Sequence, residues 1–407
     1  MTLGIVILNS NVIGAEGLGN ISLIILAVSI FILLTGFVSG ALVYFVPREN
    51  VFQLFIISYA WTFIMFFVFF IFITLVPVVD KNFIYHVSAL SLILSGANIN
   101  EKILAGKEKI ITVNYISLLK TISMIVSLPV LYFILKEKTV MSYVFSLYIS
   151  YSVGFFLTLF GIMKFLKDKK INGFRLLLIK VFKLSGYNTV AAIVQKLNYR
   201  LGYYFIEYFL GIKALGIFSA GVQISESTLI ISRSISFVQY SKISNTNNFR
   251  QSVSLTVTLA KIVLLISSGI MLVFSMLPSS FYSFVFGHDF TEINTVIKSL
   301  SFGIAALSLN LIIMHFFSGT GNQKFNMMSA SAGFAITVFC GLLLIPEFGI
   351  FGAGISASFS YLTSALLQIY FFTKLTGIGW SAFIIRKKDF INGISALKNL
   401  LLSKNKE

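Results

Sequence analysis

Eleven apolar runs follow one another along this chain, each long enough to cross a bilayer as a helix. They lie near 21–46, 51–79, 83–105, 110–135, 139–166, 183–209, 214–243, 253–281, 292–318, 325–346 and 350–373. A spanning helix takes about 20 mostly apolar residues. A chain that repeats such runs with short connectors is an all-α, polytopic membrane protein. Its 11% charged residues, against about 25% in soluble domains, agree with lipid as the solvent. The opening "MTLGIVILNSNVI" is apolar but short and lacks a positive start, so it is a poor signal peptide. It reads as the second half of a helix whose beginning is missing, which makes the expected pattern twelve.

The net charge of +17 does not point to nucleic acid, because the cations are not gathered on one soluble face. They sit in connectors, where Lys and Arg write membrane topology. With the start taken as cytoplasmic, 21 of the 31 Lys and Arg fall in inside connectors and only Lys81, Lys136, Lys138 and Lys213 outside. Both termini are then expected in the cytoplasm. The basic connector "KFLKDKKINGFRLLLIKVFK" divides the chain. The expected organisation is an N-terminal lobe over 1–166, a cytoplasmic linker over 167–182 and a C-terminal lobe over 183–375. A basic amphipathic tail over 380–407 puts Ile384, Ile391, Ile394, Leu397 and Leu401 on one face, suited to an anionic membrane surface. A single cysteine, Cys340, and three histidines without a Cys/His cluster leave no disulfide within the chain, no expected metal and no expected cofactor.

"VIGAEGLGNIS" at 12–22 returns as "FLGIKALGIFS" at 209–219, matching Gly14 to Gly211, Leu18 to Leu215, Gly19 to Gly216 and Ser22 to Ser219. "LAGKEKI" at 104–110 returns as "GTGNQKF" at 319–325. The first echo precedes the second span of each half; the other follows the fourth. Small residues recur by chance in membrane helices, but two echoes at equivalent places point to parallel six-span repeats, a transporter plan.

The segments "GAEGLGNISL", "LGIKALGIFSAGVQISE", "FVFGHDF", "SGTGNQKFN" and "IPEFGIFGAGISASFS" together resemble the polysaccharide-transport branch of the multidrug/oligosaccharidyl-lipid/polysaccharide (MOP) exporter superfamily, nearest to O-antigen or capsule repeat-unit flippases of the Wzx type. The resemblance implies twelve helices in two lobes around a central cavity, in a bacterial inner membrane. It implies no enzyme, but movement of undecaprenyl-pyrophosphate-linked oligosaccharide from the cytoplasmic to the outer leaflet by alternating access. Partners implied are the lipid-linked oligosaccharide, membrane lipids, a polysaccharide polymerase and a chain-length regulator. The alternatives are a multidrug efflux antiporter of the same superfamily and a multi-span polymerase or glycosyltransferase. The latter wants a long external loop, and every expected outer connector here is short.

Six cations lie inside spans: Lys120, Lys196, Arg200, Arg233, Lys261 and Lys298. A charged side chain at a helix centre costs about 2.5–3.5 kcal/mol on insertion scales. Lys298 is near its helix end and can snorkel. Lys120, Lys196, Arg233 and Lys261 lie about nine or more residues deep, roughly 13 Å or beyond, and are expected to face a wet cavity or an internal partner. Lys196 and Arg200 are four apart and share a face. Ser219, Gln223, Glu226 and Arg233 line one stripe of the eighth span, and Lys298, Ser301, Ser308 and His315 one of the tenth. One deep acid, Glu226, cannot neutralise five deep cations. The surplus suits a pyrophosphate, Arg through its planar fork and Lys as a point charge. Lys196, Arg200, Arg233, Lys120 and Lys261 are therefore the candidate pyrophosphate ligands. The competing reading is internal pairing that holds helices together, for instance Glu226 with Arg233 or Lys196. Glu226 is also a candidate for ion coupling, with a plain salt bridge as its alternative. Tyr199, Tyr203, Gln223 and Asn310 are candidates for reading the sugar.

Overall fold

The computed structural model describes residues 3–384, apart from 77, 169–172, 245 and 247 and apart from the side chains of 183–193, 195 and 199. The regular elements among the described residues are helices: α1 (Leu3–Ser39), α2 (Leu42–Phe45), α3 (Val51–Leu75), α4 (Ile84–Gly106), α5 (Ile110–Pro129), α6 (Val140–Met163), α7 (Phe174–Leu210), α8 (Ile212–Ser227), α9 (Leu229–Ser244), α10 (Phe249–Met276), α11 (Ser279–Phe286), α12 (Ile293–Gly319) and α13 (Gln323–Thr376). Each of the eleven expected spans falls on one or two of these. Phe63, Phe67 and Ile71 on α3, and Ile111, Tyr115 and Leu118 on α5, are each more than half exposed. Apolar stripes of this extent need lipid around them.

The 54 residues of α13 cannot be one span. At 1.5 Å per residue they would reach about 80 Å, against a hydrocarbon layer of about 30 Å. The chain folds back at Gly349 (φ 57°), just after Pro346. Phe371 stacks on Phe325 with centroids 4.7 Å apart, and Gln368 Nε2 donates to Asn326 Oδ1 at 3.3 Å. Ser364 Oγ donates to the Ser329 carbonyl at 3.1 Å and Ser360 Oγ to that of Gly333 at 2.9 Å. These rungs pair residues on either side of the glycine, so α13 is an antiparallel helical hairpin.

The first sequence echo acquires a backbone meaning. Gly14 (φ 69°, ψ −170°) interrupts α1, and Gly211 (φ 85°, ψ 174°) separates α7 from α8. Both occupy a region of backbone space that is essentially glycine-only. The match thus falls on the residue that lets one helix turn into the next. The second echo is looser. Glu108 takes the positive φ (59°) after α4, while Gly321 takes it (76°) after α12. Gly106 serves a different need: a Cβ there would lie 2.6 Å from the Cβ of Val46.

The chain divides into two compact units, 9–193 and 1–8 with 194–407, the division falling inside α7. In the first, α4 packs on α3 and α6, and α5 on α6. Leu54, Ile103, Leu104 and Ile162 belong to its apolar seam. In the second, α12 is the hub, packed on α8, α9, α10 and α13, with Leu309, Phe316, Phe317 and Phe372 at its core.

Candidate functional site

The eighth span is not one straight helix. It bends by 46° between α8 and α9. The sequence "ISEST" at 224–228 supplies the cause: Ser227 Oγ donates to the Ile224 carbonyl at 2.6 Å, and Thr228 Oγ1 to that of Ser225 at 2.7 Å. Hydroxyls that bond back one turn compete with the helix ladder and bend it. The single stripe expected through Ser219, Gln223, Glu226 and Arg233 is therefore broken. Glu226 closes α8, and Arg233 lies one turn into α9.

Across this bend the side chains converge. Arg200 Nη2 lies 3.5 Å from Glu226 Oε2, and Arg233 Nη2 lies 3.9 Å from the same oxygen. Arg200 Nη1 also donates to the Tyr203 hydroxyl at 2.8 Å, its guanidinium 5.1 Å from the centre of that ring. Tyr203 is buried and so fixes the Arg200 fork. Lys196, one turn earlier on α7, is half-buried on the same face. Arg200, Glu226 and Arg233 thus form one group, with Lys196 beside Arg200. Three cations against one carboxylate leave a surplus of two positive charges. Arg233 is 58% exposed and Glu226 17%.

The other two candidate cations are placed differently. Lys120, on α5, belongs to the other unit, where its Nζ lies 2.7 Å from Glu101 Oε1 of α4. Its stem crosses Gly154 of α6, where a Cβ would collide with Lys120 Cδ. The expectation of a single deep acid, Glu226, against five deep cations is thus corrected: Glu101 is a second, and it pairs with Lys120. The signal was in the sequence, since opposite charges on two consecutive antiparallel spans can meet across their interface. Lys261, on α10, is 8% exposed, within the same unit as the arginines.

Sequence reasoning missed Asn198, two residues from Lys196 and Arg200. It is buried, and its Oδ1 accepts from Thr337 Oγ1 at 2.5 Å and Ser360 Oγ at 2.7 Å. One amide thus ties α7 to both arms of the α13 hairpin. A cavity of about 20 Å³ beside it is lined by Asn198, Tyr203, Thr337 and Tyr361 among others. A lone Asn on an apolar helix carries no mark of this role until the hairpin brings its partners round. Of the sugar-reading candidates, Asn310 is buried and Gln223 half-buried, and the Tyr199 side chain lies outside the described residues. The expected amphipathic tail lies outside them from residue 385 onward; Trp380–Phe383 form one 3₁₀ turn.

No protein-family model matches the chain. Among curated proteins it is similar to an uncharacterized membrane protein, MJ1068, of Methanocaldococcus jannaschii. The two are 29% identical over 112 residues, which is 28% of this chain and only 22% of that protein. Among solved structures, an inward-facing multidrug resistance MATE family transporter of the MOP superfamily superposes with a TM-score of 0.72 at 13% identity, over 92% of this chain and 94% of that one. The lipid II flippase MurJ, in an inward closed conformation, superposes with a TM-score of 0.69 at 14% identity, over 98% of this chain and 90% of that one. The Vibrio cholerae MATE transporter VcmN gives 0.57 at 11% identity, over 94% of each chain. This chain is a multi-pass, all-α membrane protein with the fold that MATE transporters and MurJ share.

Proposed function

We propose that this protein is a flippase for lipid-linked oligosaccharides, moving an undecaprenyl-pyrophosphate-borne repeat unit from the cytoplasmic to the outer leaflet of a bacterial inner membrane. The observation that carries this reading is the Arg200–Glu226–Arg233 group with Lys196 beside it. Two arginines sharing one carboxylate, with a lysine one turn from the first, leave a surplus of positive charge within spanning helices that wants an anion, and a diphosphate offers oxygens on both sides. Arg233 presents an exposed planar fork to it, and Tyr203 holds the Arg200 fork in place. The binding set narrows to Lys196, Arg200 and Arg233. Lys120 holds α4 to α5, and Lys261 is buried in α10.

No bond is made or broken. The cationic group is exposed alternately to the two sides of the membrane while the polyprenyl chain stays in the bilayer. A polysaccharide polymerase and a chain-length regulator would act on the delivered unit. The MATE likeness equally favours a multidrug exporter, and charge separates the two: a cationic drug would meet a site with surplus positive charge.

Reconstituted protein should move a fluorescent undecaprenyl-pyrophosphate oligosaccharide between leaflets. Loss of one charge-assisted contact, about 1.5–3 kcal/mol, should slow Arg233→Gln about ten- to hundred-fold, with Arg233→Lys in between. A variant flipping at the unmodified rate would refute the assignment of Arg233. Export of cationic dyes without movement of the lipid-linked probe would replace the flippase reading by the multidrug one.

A further inference from the structure

One end of the second unit brings three basic connectors together. Phe249 at the start of α10 lies 6.1 Å from the Phe316 ring near the end of α12. Phe316 in turn meets Phe372 at 4.8 Å, and Phe372 meets Phe383 at 5.6 Å. A Cβ on Gly319 would touch Ile243. The segments 242–250, 319–325 and 374–384 therefore meet at this end. They carry Lys242, Arg250, Lys324 and Lys374 and not one Asp or Glu.

A groove of about 410 Å³ opens here. Arg250, Ser254 and Thr258, spaced by four, put a guanidinium and two hydroxyls on one face of α10. Thr376, Ile378 and Ala382 form the opposite wall, and Val253 and Val257 add apolar surface. The polar groups run from the helix start inward, over about two turns, alongside the valines. Phe249, which lines the groove, and Trp380, between its wall residues Ile378 and Ala382, are exposed, as aromatic side chains are where helices leave the bilayer. A cation at the mouth, hydroxyls below it and aliphatic walls leading into the spanning layer match an amphiphile with an anionic head. A soluble acidic partner would have no use for the walls.

We infer that this groove binds one anionic glycerophospholipid of the bilayer, its phosphate at Arg250 and the α10 hydroxyls and an acyl chain along Val257 and Ile378. The site is separate from the Arg200–Glu226–Arg233 group and does not depend on the flippase reading.

The test is native mass spectrometry of the full chain, extracted from bilayers of equal parts phosphatidylglycerol and phosphatidylcholine. Wild-type protein should retain one phosphatidylglycerol in preference to phosphatidylcholine. Arg250→Gln should weaken that retention about five-fold, the effect of about one basic residue at a membrane surface. Ala382→Trp, which fills the groove and keeps every charge, should lose the lipid as well. Lys324→Gln, which removes a charge from the same end but not from the groove, should retain it. Equal loss in Lys324→Gln and Arg250→Gln would overturn the groove in favour of diffuse attraction. Full retention in Arg250→Gln and Ala382→Trp would overturn it outright.

Discussion

Removing Glu101 should harm this protein more than removing Glu101 and Lys120 together. The Lys120 ammonium and the Glu101 carboxylate lie 2.7 Å apart, 17% and 19% exposed, among the spanning helices α4, α5 and α6. At an effective dielectric constant of about 20 their attraction is roughly 6 kcal/mol, most of which offsets the cost of taking both from water. Breaking such a pair costs about 3–5 kcal/mol, because a charge is left without its partner. Glu101→Gln leaves an ammonium over Gly154, where its stem has no room to swing toward α6. Lys120→Met leaves a carboxylate instead. The double variant removes both charges at similar volume and should lie within about 1 kcal/mol of the starting protein. Each stability is read as the shift in thermal unfolding of the purified protein in detergent, and the cycle gives the coupling directly. A coupling near zero would refute the pairing. The double variant also decides function: if it flips lipid-linked substrate at the normal rate, Lys120 is structural, and if it is inactive while stable, Lys120 belongs back among the substrate ligands.

Gly211→Ala should cost about 1–3 kcal/mol from backbone conformation alone, since its φ is 85° and a Cβ there meets no atom within 4 Å; the measurement is the same unfolding shift. Asn198→Leu should cost about 2 kcal/mol by leaving the Thr337 hydroxyl, buried between α7 and α13, without its acceptor, whereas Asn198→Asp, which keeps the accepting oxygen, should retain the two hydroxyl contacts in the unfolding assay only by burying a charge.

The helices were legible because apolar run length is a direct consequence of bilayer thickness, and each of the eleven runs became helix. Finer features were legible where one residue type alone can do the work. Gly14 and Gly211 stood out as an echo because no other residue tolerates their backbone. The bend at Thr228 was hidden because serine and threonine look, in an apolar run, like ordinary small packing residues. Only their hydroxyl bonds to Ile224 and Ser225 reveal what they do. The cations were found by their cost in lipid and Glu226 was expected as a partner of Arg233, yet the partners of Lys120 and Arg200 were not, because pairing is set by which spans are neighbours. Glu101 is 19 residues from Lys120 and Glu226 is 26 from Arg200, so the partners come from neighbouring elements and not from one helix turn. Asn198 was missed for the same reason: its partners Thr337 and Ser360 arrive from more than a hundred residues away.

On the proposed flippase reading, Glu226 would set how tightly the cationic group holds an anion, and therefore whether it can let go. The carboxylate faces both arginines, at 3.5 and 3.9 Å, distances of ion pairs rather than of tight hydrogen bonds. A diphosphate would displace it by offering shorter, charge-assisted bonds to the same N–H groups. Its net affinity is the difference between the two sets of contacts. A carrier needs that difference to be modest, since binding has to be weak enough for release on the far side. Glu226→Gln keeps the shape but removes the competing charge. It should tighten binding of a soluble diphosphate-bearing headgroup analogue, by about ten-fold if one ion pair of roughly 1.4 kcal/mol is lost. Turnover in proteoliposomes should fall, because release becomes the slow step. Binding and turnover moving in opposite directions is what a competitor predicts. If Glu226→Gln weakens binding and turnover together, the carboxylate instead positions the arginines for substrate, and the release argument is wrong.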